Sequence, residues 1–189
     1  MYSIGPGDPI HIDIAPLVRA EPRGWLADGK RVIICGNEPA TMFRCYAKAI
    51  MGGAPEPLTP DGFDVGPLSP AGRSIVVIAP DGTKQTFTLS ERALAPLRGV
   101  MAAETVIGWR SDGGAVFVHT RGQIPARIEL VDLATGRRTL FKELAPADRA
   151  GLLLIREPRV FDDGRAYTYQ YWKRISRLFT VTGLTALKP

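Results

Sequence analysis

Short apolar runs separated by turn signals fill the chain from end to end. Ile10-His11-Ile12-Asp13-Ile14 alternates strictly, which predicts a half-buried strand with its isoleucines on one face. Val32-Ile33-Ile34-Cys35, Ser74 to Ala79, Ala115-Val116-Phe117-Val118 and Leu152-Leu153-Leu154-Ile155 are continuous apolar runs of strand length, as expected of strands buried on both faces. Each is followed by a further β-forming segment: Met42 to Ile50, Gln85 to Leu89, Ile128 to Leu133, and Ala166 to Tyr171 with Arg177 to Val181. Helix formers occur within Met42 to Met51, but its place in the pattern makes it a strand. Asp28-Gly29, Asp81-Gly82, Asp112-Gly113 and Thr135-Gly136 punctuate these runs, because glycine reaches positive φ without steric cost. Pro146-Ala147-Asp148-Arg149 predicts one short helical turn.

The pattern repeats. Aligned on the turn glycine, Gly24 to Gly29, Pro67 to Gly72, Gly108 to Gly113 and Arg159 to Gly164 form four copies. A large apolar residue stands four before each glycine (Trp25, Leu68, Trp109, Val160) and another three after it (Val32, Ile75, Val116, Tyr167). The copies recur about every 40 to 50 residues, the period of a four-stranded propeller blade. The expected fold is therefore all-β: a β-propeller-like domain of about four blades of antiparallel strands, as a small ring or a fragment of a larger one. The blades fall at about 21–60, 61–99, 100–144 and 145–185 of a single domain spanning 1–189. Residues 1–20 are expected to supply an outer strand that completes the terminal blade, which would remove exposed edges.

Three of these stretches carry a family resemblance. Pro67-Leu68-Ser69-Pro70-Ala71-Gly72-Arg73, Gly108-Trp109-Arg110-Ser111-Asp112-Gly113 and Val131-Asp132-Leu133-Ala134-Thr135-Gly136-Arg137 resemble the TolB-type, WD-like β-propeller repeat. In that family a Ser-Pro-Asp-Gly-(Lys/Arg) turn precedes the second strand and an Asp-Leu-x-Thr-Gly turn follows the third. Ala71, Gly114 and Phe161-Asp162 depart from the pattern. Pro57 to Gly62, and the ending from Ala166 through Leu178-Phe179-Thr180-Val181-Thr182-Gly183-Leu184, are similar to the C-terminal part of propellers attached to bacterial receptor-like serine/threonine kinases. The resemblance implies an interaction or sensory module of a larger signalling protein, extracytoplasmic if it belongs to such a receptor. An accessory propeller of a hydrolase or peptidase, or a carbohydrate- or nucleic-acid-binding propeller, is the alternative.

Composition adds little to this picture. With 20 Gly and 16 Pro among 189 residues the chain suits many short strands joined by turns. No apolar run is long enough to cross a membrane as a helix, and Met1 to Ile14 lacks the pattern of an export signal, so a soluble chain is expected. The net charge of +5 is spread over turns and strand ends (Arg137, Arg138, Lys173, Arg174, Arg177) rather than gathered into a stripe, and no nucleic-acid partner is expected. Cys35 and Cys45 stand on consecutive strands; free thiols are the expected state, with a cross-strand bridge as the alternative if the Asn37 to Thr41 loop places them opposite one another.

Candidate chemistry is sparse. His11 and His119 are the only histidines, no Gly-x-Ser-x-Gly elbow is present, and His119 is expected to be structural. Asp61-Gly62-Phe63-Asp64 and Asp162-Asp163 fit no calcium loop and are expected to form turns. Gly5-Pro6-Gly7 and Gly52-Gly53 lack phosphate-loop spacing. The expectation is a protein that is not an enzyme, with no catalytic, cofactor-binding or metal-ligating residues and no cofactor. Its protein or small-molecule partner is unspecified, and self-association through exposed blade faces is expected if the ring is open. Tyr167, Tyr169, Tyr171, Trp172 and Phe179, beside Lys173, Arg174 and Arg177, are expected to be alternating strand residues, with partner binding as the other reading.

Overall fold

The computed structural model describes residues 9–180 and Thr182. Its strands form four antiparallel sheets in chain order. The first sheet comprises β1 (Arg19–Trp25), β2 (Arg31–Asn37), β3 (Arg44–Ala49) and β4 (Glu56–Pro57). The second comprises β5 (Asp64–Leu68), β6 (Ser74–Ile78), β7 (Lys84–Thr88) and β8 (Ala93–Pro96). The third comprises β9 (Glu104–Trp109), β10 (Ala115–Thr120), β11 (Ala126–Asp132) and β12 (Arg138–Leu144). The fourth has two strands, β13 (Leu152–Phe161) and β14 (Ala166–Lys173). The protein is all-β, a four-sheet propeller arrangement, and β9 touches both β5 and β13.

Strand alternation builds the core. On β6, Ile75 and Val77 pack toward Ile33, Cys35 and Ala47 of the first sheet, while Val76 between them packs toward Val106, Val116 and Val118 of the third. On β10, Val116 and Val118 face the second sheet and Phe117 faces Ile155 and Val160 of the fourth. A strand between two sheets must be apolar at every position, which is why these segments read as unbroken hydrophobic runs.

The repeated turns close alike. Leu26 N–H donates to Arg31 O (2.9 Å), Ser69 N–H to Ser74 O (2.8 Å) and Arg110 N–H to Ala115 O (2.9 Å), and the aligned glycines 29, 72, 113 and 164 all have positive φ, from 62° to 93°. Gly108 serves another purpose: a Cβ there would lie 2.8 Å from Val160 O, so its absence lets β13 close on β9.

Four expectations need correcting. Cys35 and Cys45 are directly paired across β2 and β3 and joined by a disulfide, because the hairpin loop sets the register that faces them. Bridges of this kind contribute about 2 to 4 kcal/mol. Ile10 to Ile14 forms no strand and does not pair with the fourth sheet among the described residues; Ile12, Ile14 and Leu17 lie instead on Val32, Ile34 and Tyr46 of the first sheet, the apolar surface nearest in sequence. Arg177 to Thr180 carries no strand and leaves Leu178 92% exposed, with no neighbouring strand to pair it; Val181, Gly183 and Leu184 lie outside the described residues. Pro146 to Arg149 is not helical, and Leu152 N–H closes a turn there onto Arg149 O (3.0 Å).

Candidate functional site

Two regions stand out, one between the sheets and one at the end of the stack. β9 begins and β10 ends at the same edge of the third sheet, since Glu104 pairs with Thr120 and Thr105 with His119. The buried Glu104 carboxylate is held there by Arg138, whose guanidinium also binds Glu129 and Gly99 O (2.8 Å). The hydrogen bond that Arg138 donates to Glu104 is the main cause that raises the arginine's pKa, and the cluster ties down the turn before β9 through Gly99 O and the Met101 N–H, which donates to Glu104. Lys84 donates to Ala102 O in the same turn, and burial pushes its ammonium pKa down.

Two cavities flank β9 near this edge. The larger, about 870 Å³, lies between the second and third sheets and is lined by Asp64, Lys84, Glu104, Trp109, Arg121 and Arg159, among others. The smaller, about 330 Å³, lies between the third and fourth sheets, with walls that include Ile107, His119, Arg121, Ile155, Glu157 and Arg159. Arg121 and Arg159 border both. His119 is 4% exposed and its Nδ1 has no hydrogen-bond partner among the described residues. Burial, and then the charge of Arg121, push its pKa down, so the imidazole is neutral at pH 7.

The second region is the far side of the fourth sheet. The first three sheets have four strands each, whereas the fourth has two, and among the described residues no strand pairs with the outer edge of β14. Tyr169 packs toward the third sheet and Lys142 lies 4.4 Å from the Tyr167 ring, so these tyrosines are strand residues facing a neighbour, as the alternation implied. Trp172, at the opposite phase, is 55% exposed, with the Arg156 guanidinium 5.4 Å from its ring. Ile175, Leu178 and Phe179 follow, also exposed.

The remaining candidates are engaged locally or lie apart. Asp61 pairs with Arg44, and Asp64 receives two bonds of 3.0 Å from Arg23. Cys35, Cys45 and Asp64 form the one three-donor cluster among the described residues, but the disulfide leaves no thiolate to bind a metal. Asp163 accepts 2.6 Å bonds from the Ser111 N–H and hydroxyl, which tie the third sheet to the fourth and lower its pKa; the Asp162 side chain lies outside the described structure. Gly52 and Gly53 form an exposed turn, Gly5-Pro6-Gly7 lies outside the described residues, and His11 is exposed on the first sheet's cover, far in the fold from His119. Among the basic residues taken as solvated surface, Arg138 is instead the centre of the ion cluster and Lys173 binds Asp148 (2.6 Å). Arg121 and Arg159 were not legible as site residues, because an arginine just past a strand end looks like any turn arginine.

No family model and no curated protein matches the chain. Solved structures do. It is similar to TolB from Acinetobacter baumannii (13% identity, TM-score 0.56, 80% of this chain and 37% of that one). A putative TolB from Agrobacterium tumefaciens matches at 14% identity and TM-score 0.55, over 78% of this chain and 53% of that one. An oligogalacturonate lyase in complex with manganese matches at 15% identity and TM-score 0.51, over 82% of this chain and 59% of that one. At these identities the likeness shows the TolB-type propeller fold, and the chain spans between 37% and 59% of the length of these proteins. The expectation that the chain is not an enzyme does not stand: the same fold carries a lyase, so the lack of a nucleophile–base motif excludes nothing. Among the described residues no helix is long and apolar enough to cross a membrane.

Proposed function

We propose that this propeller module is an interaction module that engages a protein partner through the open side of its fourth sheet, and that in the isolated chain a second copy takes that place. The blades at about 21–60, 61–99, 100–144 and 145–185 act as one unit, with the first three as a rigid support. The observation that carries the reading is the two-stranded fourth sheet beside three four-stranded ones, with Trp172 exposed next to the free edge of β14. Antiparallel pairing of β14 with its own copy makes a four-stranded sheet by main-chain hydrogen bonds and covers both tryptophans, which is edge augmentation. The resemblance to kinase-attached propellers favours a sensory role in a larger signalling protein.

Light scattering across a concentration series tests this. The wild-type chain is expected to dimerise and Trp172→Lys to remain monomeric with an unchanged melting temperature. A wild-type chain that stays monomeric at every concentration, or a Trp172→Lys variant that dimerises equally, overturns the proposal.

A further inference from the structure

The smaller cavity has the properties of a ligand site that the open edge does not explain. Six arginines of the first three sheets and their turns are matched to acids: Arg23 to Glu21 and Asp64, Arg31 to Asp28, Arg44 to Asp61, Arg110 to Asp112, Arg127 to Glu129, and Arg138 to Glu104 and Glu129. Arg121 and Arg159 have no ion-pair partner among the described residues, and both border the same cleft. Beside them, His119 holds a buried nitrogen without a partner among the described residues, a condition that is rare in folded proteins.

The backbone of β13 is bent at this place. Its register with β14 shifts between Arg156 and Arg159, and Glu157 adopts φ +49°, an uncommon conformation for a residue with a side chain. Bulges re-aim side chains and gather next to functional sites. The Glu157 carboxylate is the one acid of the lining; it accepts a bond from Gln170 Nε2 (3.4 Å) and forms no ion pair with either arginine. Ile107, Leu154, Ile155 and Pro158 complete an apolar wall, and about 330 Å³ lies at the lower end of the range for small-molecule pockets.

We propose that the cleft between the third and fourth sheets binds a small monocarboxylate, with the Arg121 and Arg159 guanidiniums on its oxygens and His119 Nδ1–H as the buried donor. Arg156 also borders the cleft, but its guanidinium lies 5.4 Å from the ring of Trp172, which is outside the lining; the remaining two guanidiniums against Glu157 leave a single positive charge for the ligand, which suits a carboxylate better than a dianionic phosphate. Neutral His119 adds a directional donor rather than a further charge, and the apolar wall takes the ligand's carbon skeleton. This site is independent of the β14 edge and does not rest on dimerisation.

Because the chain has only two histidines, imidazole resonances followed by NMR read the site directly, and exposed His11 is the internal control. Acetate, propionate and benzoate are titrated at constant ionic strength, with chloride and phosphate as comparison anions. The His119 signal is expected to shift saturably with the carboxylates while His11 stays still. Arg121→Gln and Arg159→Gln alter exposed side chains, so they should melt like wild type yet weaken binding about tenfold or more. A His119 signal that does not move, moves equally with chloride, responds more strongly to phosphate, or behaves identically in both variants overturns the assignment.

Discussion

Val32, Ile34 and Tyr46 on the outer face of the first sheet lie buried beneath the chain's own N-terminal segment, whereas Trp172 at the other end of the stack stands in solvent. Both faces terminate the same repeat. The repeat tryptophans make the same point: Trp109 reaches the preceding sheet and donates its indole N–H to Pro67 O (3.1 Å), while Trp25, with no sheet before it among the described residues, is 44% exposed and lines a groove of about 520 Å³ beside Ile10 and Ile12. A repeat position thus specifies a direction of packing, and burial follows only where a neighbour exists to receive it. The unfinished face is accordingly where a partner gains most, since covering exposed aromatic area and pairing a free edge cost nothing in lost native contacts.

The contrast breaks most sharply at matched aromatic positions. Tyr46→Ala is expected to cost about 3 to 5 kcal/mol, and Trp172→Ala in the monomer no more than about 0.5 kcal/mol, both measured by denaturant unfolding. Equal losses would mean the two ends are equally packed. A smaller effect is expected on removing residues 1–14, which uncovers Val32 and Ile34: about 1 to 3 kcal/mol, with new binding of a hydrophobic dye. Unchanged dye binding would show that the segment is not a cover.

The smallest effect concerns the seam beside the open sheet. The bonds from Ser111 hold the Asp163 carboxyl below its ordinary value, so its contribution is complete above an unfolded pKa of about 4 and is lost as pH falls through the lower folded value. Asp163→Asn should therefore lower the melting temperature slightly at neutral pH and leave it nearly unaffected at the acid end, which flattens the acid limb of the profile. An acid limb identical to wild type would remove this link from the seam.

Much of the fold was legible because its signals are local. A glycine at positive φ, a β-forming run and a recurring apolar residue each act within a few positions, so strands such as β6 and β10 and the turns at Gly29, Gly72 and Gly113 could be placed without knowing their neighbours. The site was much less legible. His119 could be placed at a strand end, but Arg121 follows that strand in a loop and Arg159 follows a bulge on another sheet; their lack of counter-ions becomes visible only once β9, β10 and β13 are side by side. The disulfide was open for a related reason: spacing made the bridge conceivable, and only the hairpin register brought Cys35 opposite Cys45.

By itself, the sequence determined the all-β class, the strand runs, the turn glycines and the repeat that orders them, since backbone sterics and side-chain periodicity are written residue by residue. Tertiary structure decided where the N-terminal isoleucines lie, which cysteines join, which sheet stays open and which arginines share a cleft. Those outcomes depend on competition among surfaces distant in the chain: Ile12 and Ile14 bury apolar area on the nearest available sheet, and β14 is left without the strands that close its siblings.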